Sequence, residues 1–498
     1  MFWKILGLVI YLIVLLVIGA VASRRMKDVT DYYAAGKSLN FWAVAFSSRA
    51  TGESGWLLLG LTGLGAMIGA RAFFVVGGEV LGVGIAWLLM SKRFHRLTTK
   101  YDSITIPDFL ESRFGDTSHK IRLVAAGALS VFVTIYVAAQ IFATGQAFTD
   151  FLGWNFYVGI AVGFTVVMAY SITGGFLAVV WSDIFQGALM FFGLLFLPIV
   201  GIIHIGGWGE VTSVLNTIDP SMLTLAGKDG WTPKVLLGTI SFALIGVGFL
   251  GSPQIFVRFL ALRDEAEIGK GAAVAIIYTL LAGSGAVMTG MVGRALLTTP
   301  GIEPETVLGT GAESVLPMLV DSVMPAMLIG LFIAIVLSAI MSTVDSLLVV
   351  ASSAVVRDVY QQVLHPEASD ESMVTKGRWA TFALAVIAVA IALIATSPGQ
   401  TVFWFVVFGW SGISATFCPT MILSLSWRGF TGRGAIAAMI TGFLCVPLFK
   451  FGAPHVPNIG EYIVAIGELP PSFVLSAIAG VLFSITDAKG REAADVSF

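Results

Sequence analysis

RATGESGW, residues 49–56, interrupts an apolar run: FWAVAFSS precedes it and LLLGLTGLGAMIGA follows it. An arginine, a glutamate and two glycines thus stand inside a stretch otherwise suited to hydrocarbon. If the run enters a bilayer near Phe41, ten residues at about 1.5 Å each put Thr51 roughly 15 Å deep, at the midplane of a hydrocarbon core of about 30 Å. A charge there costs roughly 2.5–3.5 kcal/mol on insertion scales, and such groups face a protein interior or a water-filled cavity. Glycine weakens a helix by about 1 kcal/mol relative to alanine and lets backbone approach a ligand. Unwound backbone at that depth needs partners inside the protein, and a bound cation or solute is one such partner. A small-residue helix contact, with Arg49 and Glu53 neutralising each other one turn apart, accounts for the stretch equally well.

The rest of the chain puts the run in a membrane. It is 57% hydrophobic and only 12% charged, with a mean hydropathy of +0.92, against roughly 25% charged residues in soluble domains. About thirteen blocks are long enough to span as helices, near 3–22, 41–70, 72–90, 121–147, 156–173, 177–206, 235–257, 269–293, 323–352, 379–396, 401–425, 434–449 and 471–486. Alternating ten-residue strands of the outer-membrane kind are not visible. The first block is followed by its basic cluster, Arg24, Arg25 and Lys27, the reverse of a cleavable signal peptide. One set of alternate loops gathers Lys92, Arg93, Arg96, Lys100, Arg113, Arg258, Arg263, Arg357 and Arg428. Such enrichment marks the cytoplasmic side, which places the N-terminus outside and the C-terminus inside the plasma membrane. Cys418 and Cys445 lie in predicted spans, so no disulfide framework is implied.

A second interruption lies in IGVGFLGSPQ, residues 245–254, near the middle of the seventh span. Two Gly/Pro-interrupted spans at matching positions are the mark of transporters built from inverted repeats, which bind solute between them. The spacing makes repeats of spans two to six and seven to eleven. MSTVDS, residues 341–346 in the ninth span, adds the hydroxyls of Ser342 and Thr343 and the carboxylate of Asp345. Oxygens of these kinds, with unwound-helix carbonyls, hold Na⁺, although a Ser/Thr pair in a membrane helix more often bonds its own backbone. Asp183, in WSDIFQ, is another acid at membrane depth, and both acids read as ion-path candidates.

At these residues the chain resembles the sodium/solute symporter family, nearest its bacterial sodium/proline branch. The resemblance rests on DYYAAGKSLNFW (31–42), SGWLLLGLTG (54–63), ITIPDFLESRFGD (104–116), GGFLAVVWSDIFQGALM (174–190), GFLGSPQIFVRFLA (248–261) and LSAIMSTVDSLLVVASSAVVRDVY (337–360). It implies an all-α integral membrane protein of about thirteen helices with a LeuT-like five-plus-five inverted repeat. In that arrangement residues 1–40 are a peripheral first helix and loop, 41–233 the first repeat, 234–425 the second and 426–498 the C-terminal helices. It further implies a sodium site made of the carbonyls of Ala50, Glu53 and Ala339 with the hydroxyls of Ser342 and Thr343. Asp183 matches an aspartate of ion coupling, and with Asp345 frames a second cation position or the ion path. Solute contacts implied by the resemblance are Ser54, Gly55, Trp56, Tyr136, Ile245, Phe249 and Pro253. The chain departs from the branch in carrying Gly52 where an aspartate stands, with the acid one place on at Glu53. A one-residue shift turns a side chain by about 100° on a helix. Ile245 and Phe249 replace a tryptophan and a tyrosine.

The expected function is sodium-coupled import of a small amino acid, proline first, by alternating access. Alternatives are proton coupling, another small carboxylate solute, or an uncoupled channel or sensor on the same scaffold. The expected partners are the solute, Na⁺ and the bilayer, with no nucleic acid and no obligate protein partner. An enzyme is not expected, because the five histidines are scattered without ligand spacing.

Overall fold

A bilayer leaves backbone groups no partner but each other, so long apolar blocks without strand alternation should be helical. The computed structural model describes residues 1–24, 37–396 and 399–497. Arg25 and Lys27 of the basic cluster, and residues 31–36 of the DYYAAGKSLNFW stretch, lie outside the described residues. Helices occur at all thirteen apolar blocks. They are α1 (Phe2–Ser23), α2a (Phe41–Gly52), α2b (Trp56–Leu61, continuing as Thr62–Ile68) and α3 (Phe73–Ile85, continuing through Ser91–Lys100). Next come α4 (Lys120–Leu152) and a pair, α5 and α6, that make up Phe156–Ile205 on either side of Gly175. The second half holds α7a (Pro233–Leu244, ending in a 3₁₀ turn over Ile245–Leu250), α7b (Pro253–Leu260), α8 (Ile268–Leu297) and α9 (Ala326–Ser353). It ends in α10 (Asp370–Ile394), α11 (Val402–Ser426), α12 (Gly432–Pro447) and α13 (Leu469–Ile485).

Among the described residues, ten runs are long and apolar enough to cross a membrane alone, and α13 passes with Gly460–Ile466, from which it bends by 87°. The difference from thirteen has two local causes. The second block is split by its break, and its second half runs on into α3 within Trp56–Lys100, turning at Gly69. The fifth block carries only the shorter apolar helix Phe156–Ala169. Gly69 has φ +56°, and a side chain there would run into the Met222 carbonyl, so the turn needs glycine twice over.

Both expected interruptions are present. α2 opens at Glu53, which is extended at φ −93°, ψ 93°, and α7 opens at Gly251 and Ser252 before Pro253 restarts the helix. α9 and α11 are the most enclosed spans, each 83% buried over its most apolar window, whereas α1 is 28% buried and peripheral. The broken helices therefore lie against the two elements most shielded from lipid.

The basic loops gather at one end of the bundle. There the Leu39 N–H donates to Ala261 O at 3.0 Å and the Arg263 N–H to Leu39 O at 2.9 Å. Arg96 binds Glu265 at 2.5 and 2.7 Å. Arg96 and Lys92 hold the Glu265 carboxyl down at about 2. Deeper in, Arg122 pairs with Asp108, Glu111 and Asp358, joining α4 to the helix Ile106–Phe114 and to the extension of α9.

Candidate functional site

Where α2a stops, its last carbonyls lose the helical partners they would otherwise have. α9 supplies hydroxyls to them. Ser342 Oγ donates to Ala50 O at 2.8 Å and lies 3.2 Å from Ala339 O. Thr343 Oγ1 donates to Thr51 O at 3.0 Å and likewise lies 3.2 Å from Ala339 O. Four of the five expected sodium ligands, Ala50, Ala339, Ser342 and Thr343, are thus in one buried cluster of neutral oxygens, with Thr51 as an unforeseen fifth member. Such a set suits a hard, singly charged cation. The fifth expected ligand, Glu53, donates its own N–H to Arg49 O at 2.8 Å. Its carboxylate turns away to Arg49 Nη2, one helical turn back, as the helix-contact reading of the stretch requires. The Arg49 guanidinium lies over the Phe249 ring, 4.5 Å from its centroid.

Beside this cluster, at the level of both breaks, lies a cavity of about 10 Å³, room for about one water. Four of the residues named for the solute, Trp56, Tyr136, Ile245 and Phe249, line it together with Gly52. Three further contributions were not foreseen: Glu79 from α3, the Val406–Val407 pair, and Trp410 from α11. The Trp410 indole N–H donates to Ile245 O at 3.0 Å, and its ring lies 4.9 Å from that of Phe249. α11 therefore supplies aromatic area that Ile245 does not. The Trp56 indole N–H donates to Gly52 O at 3.1 Å, covering another carbonyl of the α2 break.

Ser54 and Gly55 are held by a residue the sequence reading passed over. Gln140 Oε1 accepts from the Gly55 N–H at 3.0 Å, and Gln140 Nε2 donates to Ser54 Oγ at 3.0 Å. Ser54 Oγ and the Tyr136 hydroxyl are 3.5 Å apart. Pro253 is not brought to this cavity. It borders a different one with Ile104, Leu129 and Val349, because α7b leads away from the break on the side of the basic loops.

On that side, one turn below the oxygen cluster, Asp183 Oδ2 accepts from Ser47 Oγ at 2.6 Å and from Arg258 Nη2 at 2.9 Å. Arg258 also donates to Ser47 Oγ at 2.7 Å and Ser346 Oγ at 2.6 Å. Thr51 Oγ1 and Ser346 Oγ are 2.8 Å apart. The expectation that Arg258 belongs to an exposed basic loop is corrected here: it is wholly buried and ties α2a, α6, α7b and α9 together. Arg113, expected in the same set of loops, is buried too. Asp345 Oδ1 accepts from its neighbour's N–H, that of Ser346, at 2.6 Å.

Glu79, Gln140 and Arg258 were legible by the signal that picked out Asp183, a polar residue inside or abutting an apolar run. Trp410 gave no signal, since tryptophan is ordinary in a span.

Residues 32–442 match the sodium:solute symporter family. The chain is 34% identical to the high-affinity proline transporter PutP of Bacillus subtilis (strain 168) over 97% of this chain and 98% of that protein. It is 31% identical to the osmoregulated proline transporter OpuE of the same strain, over 98% and 96%. It is 32% identical to the sodium/proline symporter of Escherichia coli (strain K12), over 96% and 91%. Among solved structures, a Na⁺-coupled sialic acid symporter in a substrate-bound outward-open state superposes with a TM-score of 0.79 over 98% of both chains at 19% identity. The nucleobase-cation-symport-1 family transporter MHP1 superposes at 0.51 over 94% and 98%, with 11% identity. These two establish a shared fold. From the match over most of its length, and from its near full-length likeness to curated relatives, this chain belongs to the sodium:solute symporter family.

Proposed function

We propose that the protein is a sodium-coupled proline importer working by alternating access. The observation that carries this reading is that α9 hydroxyls meet the open end of α2a beside an aromatic cavity lying between the two broken helices. Sodium would sit among the oxygens of Ala50, Ala339, Ser342 and Thr343, with the Glu53 carbonyl completing the set. It would displace the hydrogen bonds that the hydroxyls now make to α2a. Because the same helix end carries Gly52, Ser54 and Trp56, fixing it fixes one wall of the solute site. By linkage, solute must tighten sodium by the factor that sodium tightens solute.

In this conformation the cavity is too small for any amino acid, so the carrier must open to load. The Asp183–Arg258 network closes the bundle towards the basic loops, and inward release requires its four helices to separate. Arg258 already supplies the positive charge beside Asp183, which favours the ion-exit reading of Asp183 and Asp345 over a second cation site. The basic loops face the cytoplasm on this reading, with the N-terminus outside and the C-terminus inside. The moving halves correspond to residues 41–233 and 234–425.

The test is uptake of labelled proline into proteoliposomes under imposed Na⁺, Li⁺ or proton gradients. Accumulation driven by Na⁺ is expected. Equal accumulation without a sodium gradient would overturn the coupling, and none with any amino acid would overturn the reading.

A further inference from the structure

The sequence GGEVLGVG, residues 77–84, lies on α3 beside the cavity. Gly78 and Gly82 lie one helical turn apart on α3 and rest on the carbonyls of Ala243 and Gly246, at the turn that leads α7a into its break. A Cβ at either glycine would overlap those backbone atoms. This small-residue contact fixes Glu79, between them, at the wall of the cavity.

Glu79 is 1% exposed, and neither of its carboxyl oxygens has a hydrogen-bond partner among the described residues. The other acid nearby, Glu53, pairs with Arg49 through one oxygen, Oε1, and leaves only its Oε2 unmatched among the described residues. The nearby cation, Arg49, gives its Nη2 to Glu53 and lays its guanidinium over the Phe249 ring, and it makes no hydrogen bond to Glu79 among the described residues. A buried carboxyl with both oxygens unmatched is costly. The cavity that it borders is also lined by the rings of Trp56, Tyr136, Phe249 and Trp410, and aromatic faces attract cations.

We infer that Glu79 is the counter-ion for a protonated nitrogen on the cargo, so that the transported class is solutes bearing a cationic amino group, not neutral or purely anionic ones. The inference rests on the transport reading above and deepens it. The Arg49–Glu53 pair is neutral, and a zwitterion adds no net charge to the site. A secondary or primary ammonium offers the N–H donors that the Glu79 oxygens lack. A bare carboxylate offers only repulsion.

Two measurements decide it. In proteoliposomes, proline uptake is competed with tetrahydrofuran-2-carboxylate, in which a ring oxygen replaces the ammonium, and with cyclopentanecarboxylate. Neither should compete, and competition by either within about threefold of proline overturns the inference. This arm needs no variant. Glu79→Gln should raise the KM for proline about ten- to a hundredfold, while the sodium concentration that half-stabilises the purified protein against heat stays as in the wild type. A KM within about twofold of wild type, in a variant that keeps its sodium stabilisation, overturns the inference. If the wild type does not transport proline, the transport reading has failed, and the inference is judged on purified protein in sodium buffer. There, thermal stabilisation by amino-bearing solutes alone supports it. Stabilisation by their neutral or anionic isosteres, or by no amino-bearing solute, overturns it.

Discussion

Ser342 Oγ sits 2.8 Å from the carbonyl oxygen of Ala50 and 3.2 Å from that of Ala339, so one hydroxyl joins the open end of α2a to the body of α9. The two residues are 292 positions apart in the chain. A cation that needs both helices can therefore set their spacing, and the solute wall moves with α2a.

Replacing both hydroxyls, Ser342→Ala with Thr343→Ala, leaves the carbonyls of Ala50 and Thr51 without their donors. Each lost partner costs about 1–3 kcal/mol where the group stays buried. The sodium concentration for half-maximal uptake should rise roughly tenfold or more, measured at saturating solute. An unchanged sodium dependence rejects these hydroxyls as ligands.

The Asp183–Arg258 pair, fully buried at 2.9 Å, predicts an asymmetry. Arg258→Met alone strands the Asp183 charge and should lower stability by about 3–5 kcal/mol, whereas Asp183→Asn with Arg258→Met should recover most of that loss. Denaturation of the detergent-purified variants measures it. Equal losses for the single and double changes would mean that packing, not charge, dominates this network.

Trp410→Phe keeps an aromatic face against Phe249 but leaves Ile245 O without its 3.0 Å donor. Apparent affinity for solute should fall several-fold, in line with about 1 kcal/mol for one neutral hydrogen bond. The sodium dependence measured without solute should hold, because the hydrogen bond and ring contacts of Trp410 go to Ile245, Phe249 and Tyr136. Loss of sodium binding in the absence of solute would show that Trp410 also supports the sodium site.

Glu313 gives a pH dependence. Its carboxylate accepts from the N–H groups of Val402 and Phe403 at 2.7 and 2.8 Å, pinning the loop between α8 and α9 to the N-terminus of α11. Burial pushes its carboxyl from the ordinary glutamate range up to about 7, against the pull of those two donors. The native state thus keeps a proton that the unfolded chain releases. The stability it contributes is complete below the ordinary glutamate range and is lost as pH rises through about 7. Glu313→Gln should remove this part of the decline in thermal stability between about pH 5 and pH 8. A decline identical to wild type would place the titration elsewhere.

Gly246 packs on the Gly78 carbonyl so closely that any Cβ would overlap it. Gly246→Val should cost about 1–3 kcal/mol by overpacking and push α3 away from α7. Folded yield and heat stability measure this, and a neutral outcome would mean that the two helices can separate freely.

Much of this was written in the chain. A membrane imposes length and apolarity on every span, so composition and block length alone determined an all-helical protein and the places of its helices. The two breaks were equally legible, because glycine, proline and charge at mid-depth conflict with a continuous helix in lipid. The Ser342–Thr343 pair could be named as candidate ligands, since neutral oxygens are what an alkali cation accepts. The sequence could not say which polar side chains satisfy one another, because that depends on contacts between residues hundreds of positions apart. Only the tertiary structure drew Arg258 from its supposed loop to Asp183, sent Pro253 to another cavity, and left Glu79 unmatched in a cavity lined by aromatic rings. The reason is physical: hydrophobic burial is read locally from residue type, whereas a buried charge takes its meaning from the partner that three-dimensional packing gives it or withholds.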